Sequence, residues 1–134
     1  AELSSLSAII MDNDVYQFTV AHTMVVENIR VADAAALVVL KATAYLNLLH
    51  EKQEGHHVNE KDLRKHRTDV ARLLLAENWA DAIVVPVSVR KTLELFATTI
   101  RQDSLESLAS ALHTDKGIVD NLLDILSEGF IANA

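Results

Sequence analysis

Cysteine is absent from this sequence of 134 residues, and glycine, proline and aromatic side chains are scarce. Without cysteine there are no disulfides and no thiolate metal sites, which fits a reducing cytoplasm. Three glycines and one proline are too few for the many turns of a β-sandwich or barrel. No apolar run approaches the ~18 residues that a membrane-spanning helix needs, and no basic stretch opens the chain as in a secretory signal peptide. We therefore expect a cytoplasmic protein without a membrane segment.

Helix-forming residues, above all alanine and leucine, make up much of what is present. Half of the residues are hydrophobic but only 4% are aromatic, so the core should consist mainly of Leu, Val, Ile and Ala. The sequence predicts a mainly helical α+β fold, with a short strand and a β-hairpin packed on a helical hairpin that is followed by about three helices. The length fits one domain, with residues 1–32 as a small α/β element, 33–78 as the helical hairpin and 86–131 as the C-terminal helices.

Local signals in the first half place the elements. "LSAIIM" at residues 6–11 is typical of a buried strand. Asp12 or Asp14 is placed to cap a short helix, and Glu27-Asn28 fits a tight hairpin turn.

Two long helices follow the hairpin. Asp33 predicts the start of the first helix and Gly55 its end. Asn59 predicts the start of the second helix, which should end near residue 77. Because the connecting loop is short, the two helices should pack antiparallel.

The C-terminal helices have signals of their own. Asp103 and Glu106 form a capping-box pattern, and Thr114 or Asp115 predicts the start of a last helix that ends at Gly129. The apolar face of that helix should comprise Ile118, Leu122, Ile125 and Leu126. Trp79, the single tryptophan, should pack where the second long helix ends, with its N–H near a polar partner.

Lys41 interrupts the apolar face of the first long helix. That face is formed by Leu37, Leu40, Ala44 and Leu48, which recur at helical spacing. An ammonium group that leaves water there loses hydration free energy unless an anion accompanies it. The side chain therefore pairs with a carboxylate, extends to the rim, or faces a cleft in which a ligand supplies the negative charge.

The second helix offers a partner for this lysine. Asp62, His66 and Asp69 fall on one side of it, so Asp69 is expected to face Lys41 across the hairpin. One interpretation is a structural salt bridge within a helix pair, which is common in proteins without any chemistry at that place. The other is that Lys41 and Asp69 form the edge of an active site.

Basic residues crowd the same helix in the stretch "KDLRKHRTDVARLL", although the net charge of the chain is −7. One interpretation is an ordinary solvated helix face, and the acidic balance is unlike that of most nucleic-acid-binding domains. The other interpretation is a nucleic-acid contact through Lys61, Arg64, Lys65 and Arg67, which share one broad side of the helix.

Two short stretches imitate metal ligands. "DND" at residues 12–14 has the form Asp-x-Asp, and "GHH" at residues 55–57 lies near several carboxylates. A turn or helix cap accounts for Asp12 and Asp14. A polar loop accounts for the histidines, because no His-x₃-His pair lies on one helix. We therefore predict no metal site in this chain.

The two long helices resemble a known family. "LVVLKATAYLNL", then a loop and "KDLRKHRTDVARL", is similar to the AbiEii-like nucleotidyltransferase toxins. These proteins belong to the DNA polymerase β superfamily and occur in bacterial abortive-infection and toxin–antitoxin systems. In that family a helix with a Lys-x-x-Ala pattern precedes a helix whose basic run ends in Asp and a hydrophobic residue. Lys41 with Leu40 and Ala44 matches the first motif, and Asp69 with Val70 matches the second.

The resemblance, which covers residues 6–74, implies roles for these residues. It implies that Lys41 contacts phosphates of an incoming nucleotide and that Asp69 orients Lys41 or the acceptor hydroxyl, or acts as a base. It also implies that Arg64, Lys65 and Arg67 contact phosphates. The intact protein would transfer a nucleotide to an acceptor such as tRNA, and an antitoxin or a second copy of the chain would be its protein partner.

The residues that resemble the family do not include its catalytic motifs. Two-metal phosphoryl transfer in the family needs a Gly-Ser loop and an Asp-x-Asp strand upstream. No Gly-Ser loop precedes the two helices, and "DND" at residues 12–14 lies where the family has a surface turn after the metal-binding strand. We therefore expect the chain to be the C-terminal part of a longer protein, inactive as a transferase, with Mg²⁺ and nucleoside triphosphate needed only by the intact protein. The second hypothesis is a non-catalytic helical interaction or dimerisation module in which the Lys41–Asp69 pair is structural. The residues upstream of Ala1 distinguish the two hypotheses.

Overall fold

A computed structural model describes residues 13–26 and 29–133. These residues form a mainly helical α+β fold, as the composition predicted. The predicted strand at residues 6–11 lies outside the described residues, as do Asp12 and the predicted turn at Glu27-Asn28. In chain order the elements are α1 (Asn13–Ala21), β1 (Thr23–Val26), β2 (Ile29–Ala32), α2 (Ala34–Gln53), α3 (Glu60–Ala76), β3 (Ile83–Val85), α4 (Val87–Asp103), α5 (Leu105–Ala111), α6 (Lys116–Glu128) and β4 (Phe130–Ala132).

The predicted β-hairpin is present and leads directly into the first long helix. β1 and β2 pair antiparallel in a register that places Val26 opposite Ile29. Asp33 follows β2 and caps α2, since its side chain accepts a hydrogen bond of 2.8 Å from the backbone N–H of Ala36. The cap satisfies one of the N–H groups that a helix leaves without an internal partner. It fixes the position at which α2 starts.

The helical hairpin of α2 and α3 is also confirmed. α2 ends just before Gly55, whose φ of 83° lies in the left-handed region that glycine adopts without strain. Asn59 caps α3 by accepting hydrogen bonds from the backbone N–H groups of Lys61 and Asp62. α3 ends at Ala76, one residue before the predicted end. These short-range signals bring the two helices back against each other.

Three helices, α4, α5 and α6, follow as predicted, but the capping box at Asp103 is wrong. α4 continues through Asp103, and Ser104 precedes α5 without any side-chain capping bond. Ser104 is buried, and its hydroxyl accepts a hydrogen bond from the guanidinium of Arg67. The hydroxyl of Ser104 thus bonds to Arg67 of α3 instead of capping the N-terminus of α5.

The last helix begins as predicted but presents a different face. Asp115 caps α6, and Gly129 follows its last turn. Ile118 is 40% exposed, however, whereas its neighbour Val119 is fully buried. Leu122 and Leu126 are buried as expected, and they belong to both the predicted and the observed face. The apolar face is thus rotated by about one position along the helix.

A parallel pair of short strands, β3 and β4, was not predicted. Ile83 pairs with Phe130 and Val85 with Ala132, so the chain returns to the end of α3 after three helices. Phe130 is fully buried. The predicted packing of Trp79 is confirmed, because its indole N–H donates a hydrogen bond of 3.1 Å to the carbonyl of Leu74 at the end of α3.

The core lies between the helical hairpin and α4, α5 and α6. Tyr45 of α2 meets Phe96 of α4 edge-on, with ring centroids 5.4 Å apart, and Leu93 and Ile100 of α4 are fully buried beside it. Within the residues that the structure describes, no helix combines the length and apolarity that a bilayer crossing requires. This packing fixes the two flanks of α3 on which the charged residues lie.

Candidate functional site

The predicted contact between Lys41 and Asp69 is present. The ammonium Nζ of Lys41 lies 3.1 Å from Oδ2 of Asp69, across the contact between α2 and α3. The two side chains are 27% and 22% exposed. The pair is therefore drawn partly out of water but keeps an open side, so that a third group from solution can reach it.

His66 lies on the same flank of α3, one turn before Asp69. Burial lowers the pKa of its imidazole, and the positive charge of Lys41 lowers it further. The carboxylates of Asp62 and Asp69 act in the opposite direction but do not cancel the effect of burial. Burial thus favours the neutral form of the imidazole beside the pair.

Arg64 and Arg67 lie in a different place. Both line a cleft of about 540 Å³ between the far half of the helical hairpin and the end of α4. Lys41 and Asp69 are not among the residues of its walls. Asp69 lies five positions after Arg64, which corresponds to a rotation of about 140° around α3. The five predicted site residues therefore do not converge on one point.

The two arginines make no direct ion pair with the described residues, although the carboxylate of Glu60 interacts with both at longer range. Nη1 of Arg67 donates a hydrogen bond of 3.1 Å to the hydroxyl of Ser104, a neutral group. Its Nε atom is buried and makes no hydrogen bond with any residue that the structure describes. Across residues 13–26 and 29–133, neither Arg64 nor Arg67 has an ion-pair partner. Lys65 is exposed and does not line the cleft.

The cleft also contains acidic side chains. Glu60 is bound by Lys52, whose Nζ lies 2.8 Å from its carboxylate oxygen. The hydrogen bond from Lys52 is the main cause of the lowered pKa of Glu60. Asp103, the last residue of α4, is exposed on the opposite wall. The electrostatic balance of the cleft thus depends on the two arginines and on the carboxylates of Glu60 and Asp103.

Sequence reasoning found the arginines but missed the wall that faces them. Leu95, Thr99 and Ser104 come from α4 and from the turn after it, more than 27 residues after Arg67. Nothing in their local sequence signals a contact with α3, because the contact arises only when α4 packs on the helical hairpin.

No cluster of metal-ligating side chains occurs in the part of the chain that the structure describes. Asp14 lies in the first turn of α1, and its carboxylate accepts a hydrogen bond from the hydroxyl of Ser88. In the loop, Nδ1 of His56 lies 2.6 Å from a carboxylate oxygen of Glu51, as a pair rather than a cluster. The described residues therefore do not fit the two-metal site that the resemblance implies for the intact protein.

Comparison of the chain with protein-family models, curated proteins and solved structures finds no match. The resemblance to the nucleotidyltransferase toxins rests on the motifs around Lys41 and Asp69.

Proposed function

We propose that this chain is the helical, substrate-side portion of a nucleotidyltransferase-like protein of the toxin–antitoxin or abortive-infection type. The observation that carries this proposal is the half-buried pair of Lys41 and Asp69, whose charged atoms are 3.1 Å apart. A pair sealed inside the core has no access to substrate, whereas this pair has an open side. In the proposal, Lys41 contacts the phosphates of the incoming nucleotide.

The chemistry of an ammonium group suits this role. Lysine has three N–H donors, so its amine can keep one hydrogen bond to Asp69 while it donates another to a phosphate oxygen. Asp69 then acts as a positioning residue that holds the amine, or it orients the acceptor hydroxyl. In this proposal the carboxylates that bind Mg²⁺ belong to the catalytic half of the intact protein, so the chain alone should bind nucleotide without transferring it.

Equilibrium titration with a nucleoside triphosphate tests the proposal. We expect the wild-type chain to bind ATP and the Lys41→Met variant to bind it about tenfold or more weakly, since a charge-assisted hydrogen bond is lost. Lys61→Met, which removes an exposed ammonium group from α3, is the matched control and should bind like the wild type. Circular dichroism establishes that each variant is folded. Absence of ATP binding by the wild type, or equal affinities of the two variants, would overturn the proposal.

A different observation favours a second candidate, a helical dimerisation module. Val84 and Ile131 are paired neighbours on β3 and β4, so their side chains share one face of the small sheet, and both are exposed. Val87, which follows β3, is also exposed. Under this alternative, sedimentation of the wild type shows a dimer, and Val84→Asp dissociates it. The wild type does not bind nucleotide, and Lys41→Met lowers the free energy of unfolding.

A further inference from the structure

We infer that the cleft between the helical hairpin and α4 is a binding site for a small phosphate monoester, and that Arg64 and Arg67 recognise the phosphate. The inference rests on the proposed function for the choice of phosphate as the anion. It goes beyond that function by assigning a second site, on the other flank of α3 from the Lys41–Asp69 pair.

The charges of the cleft favour a dianion. Arg67 is half-buried, and its one hydrogen bond within the described residues goes to the neutral hydroxyl of Ser104. A guanidinium group that is partly withdrawn from water is stabilised by an anion, and its planar set of N–H donors matches phosphate oxygens in pairs. Arg64 lies one turn away on the same wall and is exposed. Two guanidinium groups together balance the two charges of a phosphate monoester.

The shape of the cleft fits a ligand larger than phosphate itself. Its volume of about 540 Å³ lies within the range of about 300–1,000 Å³ that small-molecule sites occupy. Leu46 and Leu49 are partly buried on one side, and Leu95 is 56% exposed on the other. An organic body attached to the phosphate would cover the apolar surface of Leu95, which gains free energy in proportion to the area removed from water.

Two acidic residues of the cleft affect the ligand differently. Glu60 is ion-paired with Lys52, 2.8 Å away, and interacts more weakly with Arg64 and Arg67. Asp103 has no ion-pair partner in the described part of the chain and faces the arginines from the end of α4. It should therefore repel an incoming phosphate. Neutralising Asp103 and neutralising Arg64 are expected to change the affinity in opposite directions.

Titration with adenosine 5′-monophosphate tests the inference on the full chain. We expect the Arg64→Gln variant to bind about tenfold or more weakly and the Asp103→Asn variant to bind a few times more tightly. Arg64 is exposed, and its guanidinium makes no hydrogen bond or ion pair with the described residues, so its replacement by Gln should not affect folding. Arg72→Gln, the same chemical change at an exposed position of α3 outside the cleft, is the matched control and should bind like the wild type. Failure of the wild type to bind, or equal affinities of the Arg64→Gln and Arg72→Gln variants, would overturn the inference.

Related probes separate the contributions of phosphate and organic body. Adenosine should bind much more weakly than the monophosphate, because it lacks the dianion. Inorganic phosphate should also bind more weakly, because it leaves Leu95 uncovered. If either probe matches the monophosphate in affinity, the corresponding half of the inference is wrong. A 5′-phosphorylated RNA oligonucleotide that binds more tightly, and is weakened by Arg64→Gln, would identify an RNA end rather than a free nucleotide as the source of the phosphate.

A competition experiment distinguishes this site from the one at Lys41. Saturating adenosine 5′-monophosphate should leave the effect of Lys41→Met on ATP binding unchanged if the two sites are separate. Loss of that effect would show that the sites are one, which contradicts the inference. If Lys41→Met has no effect on ATP while Arg64→Gln weakens the monophosphate, the proposed function fails and the cleft site stands.

Discussion

The indole ring of Trp79 and the phenyl ring of Phe130 pack against each other, with centroids 5.5 Å apart and planes tilted by 39°. Trp79 follows α3, and Phe130 opens β4. The contact therefore ties the end of the helical hairpin to the strand that follows the last helix. It also provides a single tryptophan as a fluorescent reporter of that junction.

Replacement of Phe130 by alanine should lower the free energy of unfolding by about 3–5 kcal/mol, because it leaves a cavity at a fully buried position. Ile131→Ala is the matched control. Ile131 is the next residue along β4 and is 44% exposed. Its replacement by alanine should therefore lower the free energy of unfolding by about 1 kcal/mol or less. Urea denaturation, monitored by tryptophan fluorescence, measures the free energy of unfolding of both variants. Similar losses for the two variants would contradict the burial of Phe130.

The Lys41–Asp69 pair should show a measurable coupling in a double-mutant cycle of Lys41→Met and Asp69→Asn. Because both side chains retain about a quarter of their exposure, the coupling should lie near 1 kcal/mol, above that of most surface pairs and below that of fully buried ones. Chemical denaturation of the wild type, the single variants and the double variant gives the coupling directly. A value indistinguishable from zero would mean that the two charges act independently in solution.

His66 should make stability depend on pH. The folded state lowers the pKa of its imidazole below the ordinary value of 6.5, so between the two values the unfolded chain binds more protons than the folded chain. The contribution of His66 to stability is therefore fully present above the ordinary pKa and declines as the pH falls towards the folded value. His66→Gln should remove this decline, as measured by urea denaturation at a series of pH values. A constant difference between wild type and variant at every pH would refute the assignment.

Arg101 joins α4 to α6 through a forked contact. Its Nε lies 2.7 Å from a carboxylate oxygen of Asp120, and one Nη lies 2.8 Å from Asp124. The hydrogen bond that Arg101 donates to Asp120 is the main cause of the raised pKa of Arg101. Arg101→Lys keeps the charge but loses the fork, and because the site is about a third exposed the loss of stability should be only about 1 kcal/mol. Arg72→Lys is the control without an ion pair in the described residues. A loss that grows at high salt would contradict this account, since salt screens such pairs.

Much of the helical hairpin was predictable because its signals are local. Asp33 and Asn59 cap the helices whose starts they predicted, and Gly55 adopts the left-handed conformation that ends α2. The contact of Lys41 with Asp69 followed from helical periodicity once the hairpin was assumed. Each of these inferences needs only residues close in sequence or one antiparallel packing step.

The features that were missed depend on long-range packing. β4 is only three residues long, and its partner β3 lies more than forty residues earlier. The sequence therefore contains no periodic pattern that predicts their pairing. Ile118 fits an apolar helical face as well as Val119 does, and only the packing of α6 decides which one is buried. The far wall of the cleft belongs to the same class of feature, because α4 supplies it. Periodicity assigns faces to helices but does not say which neighbour each face meets.

Parallel pairing of β3 with β4 has a consequence for synthesis of the protein. The ribosome delivers the chain from its N-terminus, and the hairpin and the first strand of the pair emerge long before residue 130. Until that residue leaves the exit tunnel, Trp79 cannot pack against the phenyl ring of Phe130, and β3 has no strand to pair with. We expect the nascent chain to hold a loosely ordered hairpin during translation and to acquire its cooperative structure in one late step.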